Sequence, residues 1–181
     1  MVDAAQDLPA SAWVDRHVEL IAPGSPVLDV AAGRGRHSRL LRRCGLAVTA
    51  VDKDVAGLID LRADAAVEIV AADLEDGSPW PFGARSFAGV VVTNYLWRPL
   101  LPRLVAAVAP GGALIYETFA LGQERFGRPR NPDFLLRPGE LLAAVAGRLR
   151  VVAYEDTRID RPTPTMLQRI AAVREPHPMF D

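Results

Sequence analysis

Residues 27–37 join a short apolar run to two closely spaced glycines and then to a helix-forming stretch. Gly33 and Gly35 allow the backbone to turn tightly and to approach a ligand without an intervening Cβ atom. A helix starting near Arg36 would add free backbone N–H groups and partial positive charge at the same place. The segment therefore predicts a site for a carboxylate or a phosphate.

Two acidic residues follow later apolar runs and suit the recognition of a nucleoside. Asp52 lies 19 residues after Gly33, where an acid commonly accepts hydrogen bonds from the hydroxyls of an adenosine ribose. Asp73 can accept a hydrogen bond from an exocyclic amine, and the adjacent Leu74 offers an apolar surface for a ring. Each acid has a structural alternative, because aspartate commonly caps neighbouring backbone N–H groups.

The elements that must position these residues are predicted by the alternation of apolar runs and helix-like stretches. The predicted strands are residues 27–30, 47–51, 67–71, 87–93 and 113–118. The predicted helices are residues 38–44, a stretch through Leu58 and Leu61, and residues 99–108, after a first helix that is capped by Ser11 and ends at Pro23. Such alternation is typical of a parallel sheet with helices on both faces, in which ligands bind beyond the carboxyl ends of the strands.

The last part of the chain departs from this order. A helix over residues 139–145 precedes two strands, residues 149–155 and 167–173, with no helix between them, so we expect an antiparallel pair. Residues 119–137 contain prolines, glycines and four arginines in no regular period. Long irregular loops in compact domains are often functional, so residues 119–137 are predicted to be a lid on the substrate side.

Composition narrows the class of protein. The 181 residues have a net charge of -1, which suits a single domain over residues 1–181 and argues against a nucleic-acid coat protein. The single cysteine, Cys44, excludes an intramolecular disulfide, and no Cys/His group has zinc spacing, so no metal is predicted. No signal peptide or membrane span is recognisable, and we expect a cytoplasmic protein with no membrane partner.

In order and spacing, these motifs resemble those of the class I S-adenosylmethionine-dependent methyltransferases. The resemblance covers residues 11–118 and includes Pro110-Gly111-Gly112 before the fifth strand. Gly33-Arg34-Gly35-Arg36-His37-Ser38 is similar to the version in small TehB-like (tellurite-resistance type) enzymes. The family implies an α/β fold with a doubly wound, seven-stranded, mostly parallel sheet and an antiparallel last strand. In this sequence Ala31 and Ala32 stand where the family usually has a glycine and often a cysteine.

The resemblance implies S-adenosyl-L-methionine as cofactor and assigns residues to it. Asp29 and Gly33 would border its methionine part, Asp52 would hold the ribose, Lys53 would lie against the adenine, and Asn94 would lie where methyl donor and acceptor meet. The complete set of predicted cofactor-binding residues is Asp29, Ala31, Gly33, Arg36, Asp52, Lys53, Asp73, Leu74 and Asn94.

Methyl transfer needs a general base only where the acceptor must lose a proton, and the catalytic candidates are then Glu117, His37 and Tyr95. Glu117 has the alternative of a solvated strand end, and His37 that of a residue satisfying backbone groups at a helix start. The arginines at positions 98, 125, 128, 130 and 137 are candidates for clamping an anionic substrate, with solvated loop charges as the alternative.

The predicted function is a methyltransferase acting on a small-molecule acceptor. Two alternatives stay open, an RNA methyltransferase using the arginine-rich loop and a cofactor-binding protein that acts through partners without catalysis. A dehydrogenase is disfavoured, because its fingerprint requires a third glycine where Ser38 stands. The sequence does not predict an oligomeric state.

Overall fold

The computed structural model describes residues 9–160 and 163–176. The strands are β1 (Pro26–Val30), β2 (Ala47–Asp52), β3 (Val67–Ala71), β4 (Phe87–Thr93), β5 (Val108–Phe119), β6 (Arg150–Ile159) and β7 (Thr165–Val173). The α-helices are α1 (Ala12–His17), α2 (Arg36–Arg43), α3 (Leu101–Ala106) and α4 (Glu140–Val145). Every strand predicted from the apolar runs is present, and β5 and β6 extend beyond their predicted ends.

The seven strands form one sheet in the order β3-β2-β1-β4-β5-β7-β6. Strands β1 to β5 pair in parallel, and β7 pairs antiparallel with both β5 and β6. This confirms the α/β fold class and the antiparallel last strand. The order reverses at β1, whose neighbours are β2 and β4, so the carboxyl end of β1 is the expected ligand position.

Both faces of the sheet are covered. Leu28 on β1 packs in a cluster with Leu104 of α3 and Leu141 of α4, while Val27 packs in a second cluster with Trp13 of α1 and Leu41 of α2. Adjacent residues of β1 thus enter opposite layers, because successive side chains of a strand point to opposite faces. The prediction of helices on both faces is confirmed.

Two of the predicted helices are present in the structure, but part or all of each is a 3-10 helix. The first is α-helical only to His17 and continues as a 3-10 turn over Val18–Leu20, although Ser11 caps it as predicted. The stretch through Leu58 and Leu61 is a 3-10 helix, Ala56–Ala63, and both leucines are buried. Residues three apart share a face in 3-10 geometry, which places these two leucines on the core side together.

The irregular segment of residues 119–137 follows β5. It contains two single-turn 3-10 helices, Gln123–Arg125 and Pro132–Phe134, and its ends meet through an isolated bridge between Ala120 and Leu136. The helices of the described residues are all too short or too polar to cross a membrane.

Candidate functional site

The glycine turn between β1 and α2 has backbone conformations that L side chains rarely adopt. Ala31, Gly33 and Gly35 have φ angles of 52°, 54° and 78°. The left-handed conformation favours glycine at Gly35, and a Cβ atom there would lie 2.5 Å from the end of the Leu58 side chain, which would have to shift. The position where the family usually has glycine is thus occupied by an alanine in left-handed conformation.

Asp29 is buried under this turn and is 1% exposed. Ser38 Oγ, on α2, donates a hydrogen bond of 2.5 Å to Asp29 Oδ2. Burial raises the pKa of the Asp29 carboxyl from 3.8 to about 6, with opposing contributions from Ser38 and the positive charge of Arg36. Asp29 therefore ties β1 to α2 through Ser38, which stands where a dehydrogenase would have its third glycine.

Asp52, at the end of β2, reaches across to the glycine turn. Its Oδ2 accepts a 2.8 Å hydrogen bond from the Gly33 N–H, and its Oδ1 accepts one of 2.9 Å from the Asp54 N–H. The Asp52 carboxylate thus caps backbone N–H groups, which is the structural alternative given for this residue in the sequence analysis. It also lines two cavities, of about 790 and 220 Å³, which meet at this residue.

The smaller cavity brings together six of the residues predicted to form the site. Its lining consists of Ala31, Asp52, Lys53, Ala72, Asp73, Leu74, Glu75 and Tyr95. The carboxylate of Asp73 is exposed, and its Oδ1 accepts a hydrogen bond from the Glu75 N–H. The combination of apolar surface and hydrogen-bond acceptors suits a planar, amine-bearing ring.

Tyr95 also lines this cavity; its hydroxyl is buried and makes no hydrogen bond of ordinary geometry among the described residues, although the Glu75 carboxylate is nearby. Burial raises the pKa of Tyr95 above its ordinary value, and the negative charges of Glu75, Asp73 and Asp52 raise it further. A buried hydroxyl without a partner is costly, and either the nearby Glu75 carboxylate or a bound ligand can become that partner after a small side-chain movement. Tyr95 is therefore a neutral hydrogen-bond donor and not a proton acceptor at neutral pH.

The larger cavity contains the predicted residues Gly33, Arg36 and Asp52, together with Pro9 and Ala10. Arg36 Nη1 donates to the Pro9 carbonyl at 3.2 Å. Burial lowers the pKa of the Arg36 guanidinium, while the carboxylates of Glu117 and Asp29 oppose this shift. The residues before α1 thus cover one side of the glycine turn, where Arg36 offers a half-buried positive charge.

His37 is buried with both ring nitrogens in hydrogen bonds. The Ser11 N–H donates to Nε2 at 3.0 Å, so the ring proton lies on Nδ1, which is 3.0 Å from Thr93 Oγ1. Burial, followed by the charge of Arg36, lowers the pKa of His37 from 6.5 to about 3. These contacts leave no nitrogen lone pair for an acceptor molecule, and they match the structural alternative for His37.

Glu117, near the end of β5, is also buried and fully engaged. Its Oε1 accepts a 2.8 Å hydrogen bond from the Ser11 hydroxyl, and its Oε2 lies 3.1 Å from Arg169 Nη1. Arg169 pairs in addition with Glu155. Glu117 is therefore part of an internal ionic network and is not the solvated strand end that the sequence allowed.

Asn94 follows β4 directly, and its side chain is exposed at the same edge of the sheet. Its φ angle is 53°, which asparagine tolerates better than most residues, and its N–H donates to the Glu117 carbonyl at 3.0 Å. It lies in neither of the two cavities that contain Asp52.

Three residues at the site were not predicted as functional. Ser11 was expected only to cap α1, yet it also bonds His37 and Glu117. Glu75 lines the smaller cavity, and its position directly after Asp73-Leu74 was the available signal. Arg169 pairs with Glu117 across β5 and β7, and only the register of an antiparallel pair could have revealed this.

The arginines of the proposed clamp fall into two groups. Arg98 bonds both carboxylate oxygens of Glu140 and the carbonyls of Asp133 and Leu135, so its donors are used inside the protein and its proposed clamping role is wrong. The side chains of Arg125, Arg128, Arg130 and Arg137 are exposed.

Comparison with known proteins adds a sequence match and several structural matches. A family model described as "Methyltransferase domain" matches residues 27–112. A search of curated proteins finds no match to the chain.

Among solved structures, the chain is similar to TehB from Haemophilus influenzae, with a TM-score of 0.68 and 19% identity over 90% of this chain and 61% of TehB. It is also similar to 1,6-didemethyltoxoflavin-N1-methyltransferase from Burkholderia thailandensis, whose structure was solved with 1,6-didemethyltoxoflavin and S-adenosylhomocysteine. The TM-score is 0.67 and the identity is 22%, over 96% of this chain and 80% of that enzyme. A third similar structure is the cyclase SpnF, with a TM-score of 0.67 and 15% identity over 92% of this chain and 79% of SpnF. At such identities these similarities show the fold alone.

The family match begins in β1 and ends at Gly112 in β5, so it includes the glycine turn, Asp52, Asp73 and Asn94. The sequence match to a methyltransferase domain thus coincides with the seven-stranded fold, and this fold is the one found in S-adenosylmethionine-dependent methyltransferases of known structure.

Proposed function

We propose that this protein transfers a methyl group from S-adenosyl-L-methionine to a small-molecule acceptor. The observation that carries the proposal is the cavity at the carboxyl ends of β1, β2 and β3, which is lined by Asp52, Asp73, Leu74 and Tyr95. These groups match the ribose, the exocyclic amine and the ring of adenosine. The toxoflavin enzyme, whose structure contains a small-molecule acceptor, supports the acceptor class.

The residues that would hold the cofactor divide between its two ends. Asp52 would accept from the ribose hydroxyls, Asp73 would accept from the adenine amine, and Leu74 and the stem of Lys53 would contact the ring. At the other end, Gly33 would allow close approach, and Arg36 would pair with the methionine carboxylate, as arginine commonly does with carboxylates. Asp29 would not contact the cofactor directly and would instead hold the start of α2 in place through its hydrogen bond with Ser38.

When bound, the cofactor supplies an electrophilic methyl group on its sulfonium. The protein's own contribution is to orient the acceptor in line with that methyl group and to exclude water. The acceptor nitrogen of His37 is occupied by the Ser11 N–H, both carboxylate oxygens of Glu117 are bound inside the protein, and Tyr95 has a raised pKa. The chemistry therefore suits an acceptor that brings its own lone pair, such as an amine, and needs no base from these three residues.

Calorimetric titration with S-adenosyl-L-methionine and S-adenosylhomocysteine tests the proposal directly. We expect both to bind, and incubation of the protein with methyl-labelled cofactor and a cell extract to label the small-molecule fraction. An absence of cofactor binding would contradict the proposal, and label confined to RNA would favour the RNA alternative.

The similarity to the cyclase SpnF makes a non-methylating function a second candidate, since this fold also occurs in a protein named for another reaction. Cofactor binding without labelling of any fraction would favour that alternative. The two functions are thus separated by turnover and not by binding.

A further inference from the structure

The loop of residues 119–137 contains a positively charged tip whose base is held by hydrogen bonds. Gln123, which is 4% exposed, accepts from the Met166 N–H at 2.9 Å and donates to the Arg128 carbonyl at 3.2 Å. These bonds connect the first limb of the loop to β7 and to its own tip.

The second limb is held equally well. The backbone N–H of Leu136 donates to the Phe119 carbonyl at 2.9 Å. Arg98 donates to the carbonyls of Asp133 and Leu135 at 2.7 and 2.8 Å. Because both limbs are anchored, the residues between them have a defined position relative to β5 and to the segment that follows β4.

Three arginines of this tip, Arg125, Arg128 and Arg130, form what we call the arginine rim. Their side chains are exposed, and no hydrogen bond or ion pair joins them to the part of the chain that the structure describes. Glu124, which is adjacent to Arg125 in sequence, accepts a hydrogen bond from the Gly122 N–H. Exposed arginines such as Arg16 and Arg62 also have no ion pair with the described residues, but the rim differs from them because its three charges lie within six residues of one anchored loop.

Apolar side chains accompany these charges. Leu121, Phe126 and Phe134 are 41%, 40% and 46% exposed, and all three belong to the same loop. The guanidinium of Arg158, on β6, lies 5.3 Å from the centre of the Phe126 ring. Guanidinium groups beside exposed rings suit a ligand that has both an anionic group and an apolar or aromatic body.

The rim belongs to a loop that leaves the carboxyl edge of the sheet, the edge at which the glycine turn, Asp52 and Asp73 also lie. The loop continues β5 beyond Glu117, whose carbonyl accepts from the Asn94 N–H at the end of β4. We infer that the arginine rim binds a carboxylate or phosphate group of a small, partly apolar methyl acceptor. This inference rests on the proposed methyl transfer.

The charges of the neighbouring surface favour a small anion over RNA. Asp54, Asp73, Glu75 and Asp76 are exposed at the carboxyl ends of β2 and β3, along the same edge of the sheet. A polyanion that extended from the rim would meet these carboxylates, whereas a ligand with one anionic group would contact the rim alone.

The test compares the triple variant Arg125→Gln/Arg128→Gln/Arg130→Gln with a control, Arg16→Gln/Arg62→Gln/Arg148→Gln, which removes the same charge from exposed arginines elsewhere. Phenyl phosphate, benzoate and neutral benzamide are titrated into each protein in the presence of S-adenosylhomocysteine. We expect the rim variant to bind both anions about tenfold more weakly than the wild type, and the control variant to bind them as the wild type does. Binding of benzamide should be the same in all three proteins.

Equal anion binding by the wild type and the rim variant, or no anion binding by the wild type, would overturn the inference. Tight, steeply salt-dependent binding of poly(U) that only the rim variant loses would also overturn it, in favour of RNA. Titration of S-adenosyl-L-methionine into the same proteins separates the two proposals. Cofactor binding without anion binding contradicts the rim alone, and anion binding without cofactor binding contradicts the proposed function.

Discussion

The backbone N–H of Gly33 donates a 2.8 Å hydrogen bond to Oδ2 of Asp52, which joins the glycine turn after β1 to the carboxyl end of β2. Parallel pairing of β1 with β2 places Val30 opposite Val51, so the residues that follow both strands lie side by side. Two motifs that are 19 residues apart in sequence thereby form one polar surface. The Asp52 carboxylate faces both cavities from this surface.

Replacement of Asp52 by alanine is expected to weaken binding of S-adenosyl-L-methionine by about tenfold to a hundredfold, because hydrogen bonds to the ribose hydroxyls would be lost. Calorimetry measures the change. Asp54→Ala is the matched control, since Asp54 lines the larger cavity but its Oδ1 caps the Ala56 N–H. Equal affinities in Asp52→Ala and the wild type would show that Asp52 does not hold the ribose.

Replacement of Ala31 by glycine is expected to stabilise the protein by about 1 kcal/mol or less. The left-handed conformation costs an alanine about 1–2 kcal/mol, and the greater freedom of glycine in the unfolded chain offsets part of the gain. Urea unfolding measures the difference. Because Ala31 also lines the smaller cavity, removal of its methyl group should leave cofactor affinity unchanged or increase it. A weaker cofactor complex would show that this methyl group makes a favourable contact.

Replacement of Tyr95 by phenylalanine is expected to change stability and cofactor binding in opposite directions. Removal of a buried hydroxyl without a partner should raise the free energy of unfolding by about 1 kcal/mol in the absence of ligand. If the hydroxyl donates to the bound cofactor, the same change should weaken binding about threefold to tenfold. Parallel urea and calorimetric titrations measure both effects. A variant that is less stable and binds normally would contradict this role.

The buried His37 is expected to make stability depend on pH. Its pKa is lowered to about 3, so the folded state keeps the ring neutral while the unfolded chain takes up a proton below about pH 6.5. This contribution is fully present above pH 6.5 and is lost as the pH falls towards 3. His37→Gln should therefore lose less stability than the wild type over that interval, as measured by urea unfolding at several pH values.

Asp29 acts with the opposite sign, because its pKa is raised from 3.8 to about 6. Its contribution is lost as the pH rises through that interval, but it is common to the wild type and to His37→Gln. The difference between the two proteins therefore isolates His37. Identical pH slopes would show that the ring is not held neutral.

Replacement of Glu117 by glutamine is expected to reduce stability and to leave the pH dependence of kcat unchanged. The glutamine can still accept from Ser11 but loses its ion pair with Arg169, at a cost of about 1–3 kcal/mol. A general base would instead produce a large loss of kcat together with the disappearance of an acidic limb in the pH profile. The pH–rate profile of Glu117→Gln, with an identified acceptor, distinguishes the two roles.

The strands could be predicted from sequence because buried parallel strands appear as continuous runs of branched apolar residues, as in residues 87–93. The 3-10 geometry of Ala56–Ala63 could not, because the pattern of Leu58 and Leu61 fits either helix type and tertiary burial decides between them. The acids at the strand ends were predictable by position. Their additional bonds to backbone N–H groups depended on the turn that follows each strand.

By itself, the sequence determined the order of strands and helices, the glycine turn at Gly33 and Gly35, and the acids that follow β2 and β3. These features depend on periodicity and short-range spacing, which a linear chain displays. Only the tertiary structure decided how the polar candidates are used: His37 and Glu117 are internally bonded, Arg98 is bound to the loop of residues 119–137, and Tyr95 lines a cavity with its hydroxyl buried. The physical reason is that burial and hydrogen-bond satisfaction depend on residues distant in sequence, which meet only when the sheet has formed.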